Sequence, residues 1–428
     1  MATAAVDEPA SSPLPVASDS SLLATNAPAW VPERPVPAEE GLDTGVRMPL
    51  RIATLPLSIL GYAARSTTRY LEEHQLHTRV SSGVSTLAHP PLGLSLKPAH
   101  LGPGVGFSAA ADWSPSLWGS LLTADLAGST KKYTRTLLAV HRGPATFNYE
   151  YGWRPREPYF GVGIGSSDDD NSSYAWRQQR YRLTLGYRRR QTDKIRPYVS
   201  TWVGPREVTI RHGRLAPSFE DVFPGQANLL NLRQEHFVYG VQSGVDTRAG
   251  KPHWSRGFQA EFRGERFDKP IKALTIRSGN TSAPQFTRFT FSGQAGVSFW
   301  TDPRTLRVAF RAVSASPLRD AAPLLPPDFA TLGADDGLAS LDLGRFRDRD
   351  LLYGSLMYIF PVSSHFEFEI HSETGSVFQR MRDAKRTNFR HSHGISLRPR
   401  TDSMVIGVIG ADWSPGEFVI RYELGKGE

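Results

Sequence analysis

Two groups of side chains in this sequence have residue types suited to binding a metal ion. Asp168, Asp169 and Asp170 offer consecutive carboxylates of the kind that hold calcium, and His391 and His393 are spaced to share an ion on one face of a strand. The acidic run lacks the further ligand spacing of a calcium loop, and no third ligand stands near the histidines. The sequence therefore predicts no metal site, and the acidic run is interpreted as a solvated loop tip.

A second set of residues has the types found in hydrolases and cofactor sites. His371 lies beside Ser372, but neighbours on one strand point to opposite faces and cannot act together as base and nucleophile. The GVGIG run at 161–165 lacks the strand-to-helix setting and the third glycine of a dinucleotide site. The chain has no cysteine, which excludes thiolate nucleophiles and cysteine-ligated zinc. We therefore expect no catalytic residues and no cofactor.

The tryptophans indicate a different use of side chains. Five of the nine end an alternating apolar and polar run directly before a break marked by proline: Trp113, Trp153, Trp202, Trp300 and Trp413. An apolar ring with a polar N–H is best placed where hydrocarbon meets water. Repeated tryptophans at strand ends predict the interfacial girdle of a membrane β-barrel.

The composition agrees with a barrel and argues against two other classes. The chain has 428 residues, of which 39% are hydrophobic, and it contains no uncharged apolar run of about 18 residues that would form a spanning helix. Barrel strands conceal their hydrophobicity by alternating lipid-facing with polar residues. The net charge of +8 comes from arginines that mostly alternate with apolar residues. This pattern favours a basic lumen or rim over a nucleic-acid surface.

Three regions are predicted along the chain. Residues 1–46 are rich in Ala, Pro and Ser and predict a disordered tail, without the basic and apolar regions of a signal peptide. Residues 47–90 predict an amphipathic helix, kinked at Pro56, and a linker. This helix either packs against its own domain or lies on a membrane interface. Residues 91–428 predict the barrel.

Period-two patterns in the barrel region predict about sixteen antiparallel strands, an all-β fold. The expected spans are 92–98, 104–113, 117–127, 132–142, 145–155, 174–190, 194–211, 234–247, 254–267, 285–300, 304–316, 349–361, 364–374, 390–398, 403–413 and 416–425. Connections after even-numbered strands are mostly short, and several after odd-numbered strands are long, as in an outer-membrane barrel. A soluble sandwich or propeller would share the periodicity but not such aromatic outward faces.

Four segments carry a family resemblance. GRFRDR, residues Gly344 to Arg349, lies in a long loop between the eleventh and twelfth strands and leads into a strand that ends in Phe360 and Pro361. ETGSVF at 373–378, SHGISLRPRT at 392–401 and YFGVGIGSSDDDNSSY at 159–174 are the others. Together they resemble the bacterial surface-antigen superfamily, the BamA/TamA-type outer-membrane barrels, over about 330 residues.

The resemblance implies that this loop folds into the lumen and is held against the inner wall. The loop residues it assigns are Gly344, Arg345, Phe346, Arg347, Asp348 and Arg349, and side-chain direction makes Glu367, Glu369 and Glu373 the expected acceptors on the wall. The family's arginine-glycine-aromatic loop tip is replaced here by Ala339, Ser340 and Leu341. We therefore expect Arg345 or Arg347 to supply the docking contact.

The resemblance also implies a function. We expect a noncatalytic barrel of the bacterial outer membrane that acts in membrane assembly, protein insertion or export. Family members with these roles carry periplasmic transport-associated modules before the barrel, and this sequence shows only the tail and one predicted helix there. The expected partners are therefore membrane lipid and periplasmic or lipoprotein subunits of a larger complex, with no nucleic acid. A passive pore or scaffold and an outer-membrane lipid hydrolase are the alternatives.

Overall fold

A computed structural model describes most of the predicted barrel region. The described residues are 94–99, 101, 105–117, 119–188, 194–214, 217–248, 256–271, 284–298, 304–318, 324–362, 366–399 and 407–424. The predicted tail, 1–46, and the predicted helix and linker, 47–90, lie outside them, as does Trp300.

Sixteen β-strands make up the main sheet in the described part of the chain. They are β1 Leu94–Pro98, β2 Ser108–Trp113 with its continuation Ser116–Leu117, β3 Ser120–Ser129, β4 Thr134–Arg142, β5 Ala145–Tyr159, β6 Ser172–Arg188, β7 Arg196–His212, β8 Arg233–Asp246, β9 Gly257–Asp268, β10 Phe286–Ser298, β11 Thr305–Pro317, β12 Asp350–Pro361, β13 Phe366–Phe378, β14 Arg390–Pro399, β15 Gly407–Ser414 and β16 Glu417–Leu424. The predicted number is confirmed, and most predicted bounds lie within a few residues of the observed ones.

Each strand pairs antiparallel with the next one along the chain. The pairs follow chain order from β1 with β2 to β15 with β16. β11 pairs with β12 across the long loop 318–349. Such a meander needs no crossover connections and is the topology of an up-and-down barrel. The predicted fold class, an antiparallel transmembrane β-barrel, is confirmed.

The two faces of the sheet differ as the alternation predicts. Exposed apolar side chains cover the outer face; examples are Leu126, Leu138, Phe147, Leu183, Val199, Val241, Phe262, Phe291, Leu356, Ile370, Ile409 and Ile420. On β13 the inward set Glu367, Glu369 and His371 is buried, although its members are polar. A strand with an apolar exposed face and a polar buried face belongs in a lipid bilayer, because water is the solvent only on the inside.

Strand length varies around the wall. β3 and β4, which are bounded by described turns, have 10 and 9 residues, whereas β6 and β7 have 17 each. Much of the extra length lies at the end that carries the long loops, where β5 and β6 stay paired beyond Trp153, the last residue of β5 that pairs with β4. Apolar clusters form where these loops meet the strands, as with Tyr159, Tyr174, Phe219 and Leu325.

Helical structure in the described residues is limited to segments of one or two turns. The α-helix α1 spans Phe219–Val222 in the loop between β7 and β8. Five 3-10 turns span Pro224–Leu229, Pro326–Asp328, Ala334–Asp336, Met381–Asp383 and Arg386–Asn388. In the part of the chain that is described, no helix has the length and apolar character needed to cross a membrane.

Candidate functional site

The long loop between β11 and β12 turns inward and forms its own small sheet. Ala330–Leu332 pairs antiparallel with Phe346–Asp348, so that Thr331 faces Arg347. Alternation along the second of these strands points Phe346 to one side and Arg347 to the other. Phe346 packs with Leu332 and Leu341 of the loop and with Leu351 and Val377 of the barrel wall. The GRFRDR segment is therefore an ordered part of the lumen.

Arg347 lies at the centre of the loop's contacts and is only 2% exposed. Its Nη1 donates to the Tyr174 hydroxyl at 2.9 Å and to the Pro326 carbonyl at 3.2 Å, and its Nη2 donates to the Pro158 carbonyl at 2.9 Å. Glu157 lies 3.5 Å from the same nitrogen. Burial opposes the charge, but Tyr174 and Glu157 raise the pKa of Arg347 above its ordinary value. This arginine therefore remains charged inside the barrel.

Arg345 attaches the loop to the connection between β5 and β6. Its Nη1 and Nη2 donate to the hydroxyl and the carbonyl of Ser166, each at 2.9 Å, and its Nε contacts Asp168. The guanidinium also lies over the Phe346 ring, 4.5 Å from the centroid. The Gly163 N–H donates to the Arg347 carbonyl at 2.7 Å. Two of the stretches singled out by resemblance, 159–174 and 344–349, are thus in direct contact.

Glycine is required at two positions of the loop. Gly344 has a φ of +61°, and a Cβ there would approach the Arg347 guanidinium to 2.4 Å. Gly337 has a φ of +102°, and a Cβ there would lie 2.4 Å from the Tyr353 ring. Both conformations are costly for other residues. The loop conformation is therefore encoded in its glycines as well as in its charges.

The loop tip docks on the opposite wall through its backbone. The Ala339 N–H donates to Glu373 at 2.6 Å, and the Ser340 N–H donates to the Ser392 hydroxyl at 3.2 Å. Tyr353 donates to the other oxygen of Glu373 at 2.6 Å. Alanine at the tip cannot form a charged contact, but its amide is enough to bind a carboxylate. Main-chain donors therefore dock the loop tip on the wall at this point.

The base of the loop is held by a third set of charges. Asp328 is completely buried and accepts from Arg206 of β7 at 2.7 Å, while Arg288 of β10 donates to the Asp328 carbonyl. Burial alone would raise the pKa of Asp328, but Arg206, Arg288 and His236 lower it below its ordinary value. The buried carboxylate therefore stays ionised and neutralises the arginines around it.

These contacts place the loop across the full width of the lumen. Arg347 reaches β5 and β6, Asp328 reaches β7, and Ala339 reaches β13. In a sheet of sixteen strands, β5 and β13 are eight positions apart. One compact loop can touch both only if the sheet curls around it, so the contacts themselves require a barrel.

The expected pairing of the loop arginines with the wall carboxylates was wrong. Glu373 receives backbone N–H groups of the loop tip, and Glu369 accepts from Arg398 of β14 at 2.9 Å. Glu367 is buried on the inner face of β13 opposite Arg398 in the register. Arg347 faces the other way because Phe346, its neighbour in sequence, occupies the side toward β12 and β13. Arg345 lies over the Phe346 ring and donates to Ser166. Asp348 binds the Arg349 N–H at 2.8 Å at the start of β12.

An ionic network crosses the last four strands on the inner face. His371 of β13 lies between two carboxylates, with Nδ1 3.2 Å from Glu369 and Nε2 2.8 Å from Asp412 of β15. Arg421 of β16 lies 3.3 Å from Asp412. A general base needs a ring nitrogen that faces a nucleophile. Both nitrogens of this histidine face acids, so the network is built to join strands.

The tryptophans do not all lie where the sequence predicts. Trp113 and Trp413 lie on the outer face and are 42% and 40% exposed, and Trp153 is half-buried. Trp202, in contrast, is 3% exposed and lies in the lumen, where Arg263 and Arg182 stand 4.9 and 5.7 Å from its ring. Its prediction as an interfacial residue was wrong. The register of β7 turns Val199 outward, which requires Trp202 to face inward.

Sequence reasoning missed several residues of the site. Glu157, Tyr174, Asp328 and Ser392 complete the loop contacts, yet none has a distinctive spacing. Tyr174 and Ser392 carried a signal, since Tyr174 closes the 159–174 segment and Ser392 opens the 392–401 segment, both already noted for their resemblance. Partners that lie more than a hundred residues apart in the chain have no pattern in a single sequence that would join them.

Replacing Glu373 by alanine is expected to release the loop tip. The variant leaves the Ala339 N–H and the Tyr353 O–H without their acceptor, at a cost of roughly 1 to 3 kcal/mol for each donor. Hydrogen exchange should accelerate at 339–341, and the denaturation midpoint should fall. Glu373→Gln, which keeps one acceptor oxygen, should give a smaller change.

Gly337→Ala should displace the tip by an independent route, through the clash with Tyr353. Unchanged exchange in both Glu373→Ala and Gly337→Ala would contradict the docking described above.

This chain resembles known proteins in its structure and not in its sequence. Neither a protein-family model nor a curated protein sequence matches it. The crystal structure of BamA from Haemophilus ducreyi lacking POTRA domains 1-3 matches with a TM-score of 0.50 at 10% identity, covering 77% of this chain and 67% of that chain. CdiB from Acinetobacter baumannii has a TM-score of 0.48 at 12% identity, and the match covers 77% of this chain and 58% of that one. The chain thus has a barrel fold similar to that of BamA.

Proposed function

We propose that this chain is a noncatalytic barrel of the bacterial outer membrane, related to the BamA/TamA-type surface antigens, that assists the insertion or export of other proteins. The fold, the inward loop and the polar lumen support this proposal. The structural likeness to BamA supports the fold and leaves the role to be tested.

The observation that carries the proposal is the uneven height of the wall. Strands rise about 3.4 Å per residue and tilt by about 40° in such barrels. On this basis the 9 residues of β4 span about 23 Å and the 17 residues of β6 about 44 Å. A hydrocarbon core is about 30 Å thick. The apolar band of an outer-membrane barrel is about 25 Å tall, so the wall at β3 and β4 is at the lower limit of what spans it. We propose that the bilayer is thinnest beside these two strands and that an incoming strand enters more easily there.

A direct test uses the full chain reconstituted into liposomes. An unfolded outer-membrane β-barrel protein is added, and its folding is followed by the change in gel mobility that folded barrels show without boiling. The client should fold severalfold faster than in empty liposomes or in liposomes holding an unrelated barrel of similar size. Equal rates in all three would contradict a role in insertion.

A passive pore or scaffold is the second candidate. The lumen contains a cavity of about 410 Å³, lined by Arg311, Glu369, His371, Arg398 and Arg421 among others. Residues 334–337 of the inward loop also line this cavity. Single-channel recordings at moderate salt would favour a pore if the protein conducts, and silence even with the inward loop shortened would count against one.

A lipid hydrolase is the third and weakest candidate. His371 faces two carboxylates, and Ser372 lies on the other face of β13. Acyl release by the purified protein, abolished by one serine substitution, would reverse this ranking.

We further propose that the barrel works with periplasmic or lipoprotein subunits. Gentle extraction of the native protein in mild detergent, followed by mass spectrometry, tests this directly. A stoichiometric partner that carries periplasmic transport modules would support a place in an assembly or export complex. A barrel that purifies alone would favour the pore or scaffold.

A further inference from the structure

The loop between β13 and β14, residues 379–389, presents a concentrated positive charge at the barrel's long-loop end. It contains Arg380, Arg382, Lys385 and Arg386 against a single acid, Asp383, so its formal charge is 4 − 1 = +3. All five side chains are exposed. Buried arginines of the lumen such as Arg206 and Arg398 bind carboxylates, but the charged side chains of this loop lie in solvent.

Within the described part of the chain, the ion pairing of these four cations is minimal. Arg382 lies 4.0 Å from Asp383, and the two side chains are 73% and 51% exposed. A pair so exposed contributes little to stability. The charge of this loop is therefore available to a partner.

The loop is ordered, although its surface is solvated. It consists of two 3-10 turns, in which the Asp383 N–H donates to the Arg380 carbonyl at 2.8 Å and the Asn388 N–H donates to the Lys385 carbonyl at 2.9 Å. The Ser376 hydroxyl of β13 donates to the Asn388 carbonyl at 2.9 Å. Because the backbone is already fixed, binding an anion here would cost little conformational entropy.

The strands next to the loop show its depth relative to the bilayer. The outward face changes from Ile395 and Ile409 to His393 and Trp413, which are register partners with ring centroids 6.3 Å apart. Trp413 is 40% exposed and marks the boundary between hydrocarbon and water. β14 begins at Arg390, three residues or roughly 10 Å along the strand from His393.

That depth matches the position of lipid headgroups. The headgroup layer extends roughly 5 to 8 Å beyond the hydrocarbon on each side of a bilayer. Cations at this depth lie beside the phosphate groups of the lipids. Basic clusters beside a membrane-spanning segment are attracted to anionic headgroups by about 1 kcal/mol per cation.

We propose that loop 379–389 binds the phosphate-bearing headgroups of lipids in the leaflet at the long-loop end of the barrel. The exposed cations provide the charge, the paired 3-10 turns fix the spacing of the backbone that carries them, and Trp413 with His393 sets the depth. The proposal rests on the barrel's placement in a membrane and is independent of any role in insertion.

The test is native mass spectrometry of the full chain folded in non-ionic detergent with added phosphatidic acid or phosphatidylcholine. The test variant carries Arg380→Gln, Arg382→Gln, Lys385→Gln and Arg386→Gln. The matched control carries Arg142→Gln, Lys194→Gln, Arg256→Gln and Arg304→Gln, which removes three arginines and one lysine from exposed positions at the opposite end. Both must show the gel mobility of a folded barrel.

We expect the protein to retain phosphatidic acid in preference to phosphatidylcholine. The affinity of the test variant for phosphatidic acid should be lower by roughly tenfold or more. The control should bind as the unaltered protein does. Equal binding by both variants, or an equal loss in both, would overturn the proposal. Displacement by equimolar inorganic phosphate would also overturn it, because the site would then take free phosphate.

A measurement on the unaltered protein guards against misfolding of the variants. Exposed charges are screened beyond a few ångströms at high salt. Retention of phosphatidic acid should therefore fall severalfold between about 0.1 M and 1 M salt. If the retention of phosphatidic acid did not change with salt concentration, the lipid would be held by apolar contacts, and the proposal would be contradicted.

Discussion

Replacing Arg347 by alanine is expected to lower the free energy of unfolding by about 3 to 5 kcal/mol, the cost of breaking a buried charged network. The side chain satisfies the Tyr174 hydroxyl, two carbonyls and Glu157 at once. Its loss would leave these buried groups unpaired and release GRFRDR from β5 and β6. Denaturant unfolding in detergent measures the change. Hydrogen exchange at Gly163, whose N–H donates to the Arg347 carbonyl, reports the local opening.

Two further variants separate the effect of charge from that of shape. Arg347→Lys keeps the charge but replaces a planar fork with one ammonium, which cannot reach the same set of acceptors. Its destabilisation should be intermediate. Arg382→Ala removes an arginine that is 73% exposed and should change stability by no more than about 0.5 kcal/mol. If Arg347→Ala were no worse than Arg382→Ala, the central role of Arg347 would be refuted.

Replacing Asp328 by asparagine is expected to destabilise the protein by a similar amount, about 3 to 5 kcal/mol at neutral pH. The carboxylate is fully buried and neutralises Arg206 and Arg288. An amide keeps the shape of the side chain but removes its charge, so the buried Arg206 and the half-buried Arg288 would lose the carboxylate between them. Thermal and denaturant unfolding would measure the loss, with the exposed Asp383→Asn as the matched control.

The charge of Asp328 also predicts how stability depends on pH. The pKa of this carboxyl is lower in the folded protein than its ordinary value of 3.8, so the unfolded chain binds the proton first as pH falls. Its stabilisation is complete well above pH 3.8 and declines as pH falls through that value toward the folded pKa. The difference in stability between the unaltered protein and Asp328→Asn should therefore shrink from pH 7 to pH 3. A difference that is constant over this range would contradict ionisation of Asp328 in the fold.

These predictions concern the loop and bear on function through it. The loop is attached by charge at β5 to β7 and by two backbone N–H groups at β13 and β14. Variants at Glu373 should open one end, and variants at Arg347 the other. Comparing both in the liposome folding assay would show whether insertion depends on a docked loop or only on the wall.

The strands were determined by the sequence alone to within a few residues. Alternation such as Phe368 and Ile370 against Glu369 and His371 specifies which side chains meet lipid and which meet water, since a slip of one residue would invert every side chain. The short and long connections, and the place of the long loop, followed from the same pattern. Local periodicity carries this information because each strand is amphipathic by itself.

Only the tertiary structure decided what the inward side chains contact. Trp202 stands in a run where both faces have mixed polarity, and the register with β6 and β8 turned it inward. Arg345 and Arg347 were identified by resemblance, yet their partners at Ser166 and Tyr174 lie more than 170 residues earlier in the chain. Glu373 was expected to meet an arginine and instead accepts a backbone amide. Lumen contacts join distant strands across the barrel, and no local spacing in one sequence encodes which strands will face each other.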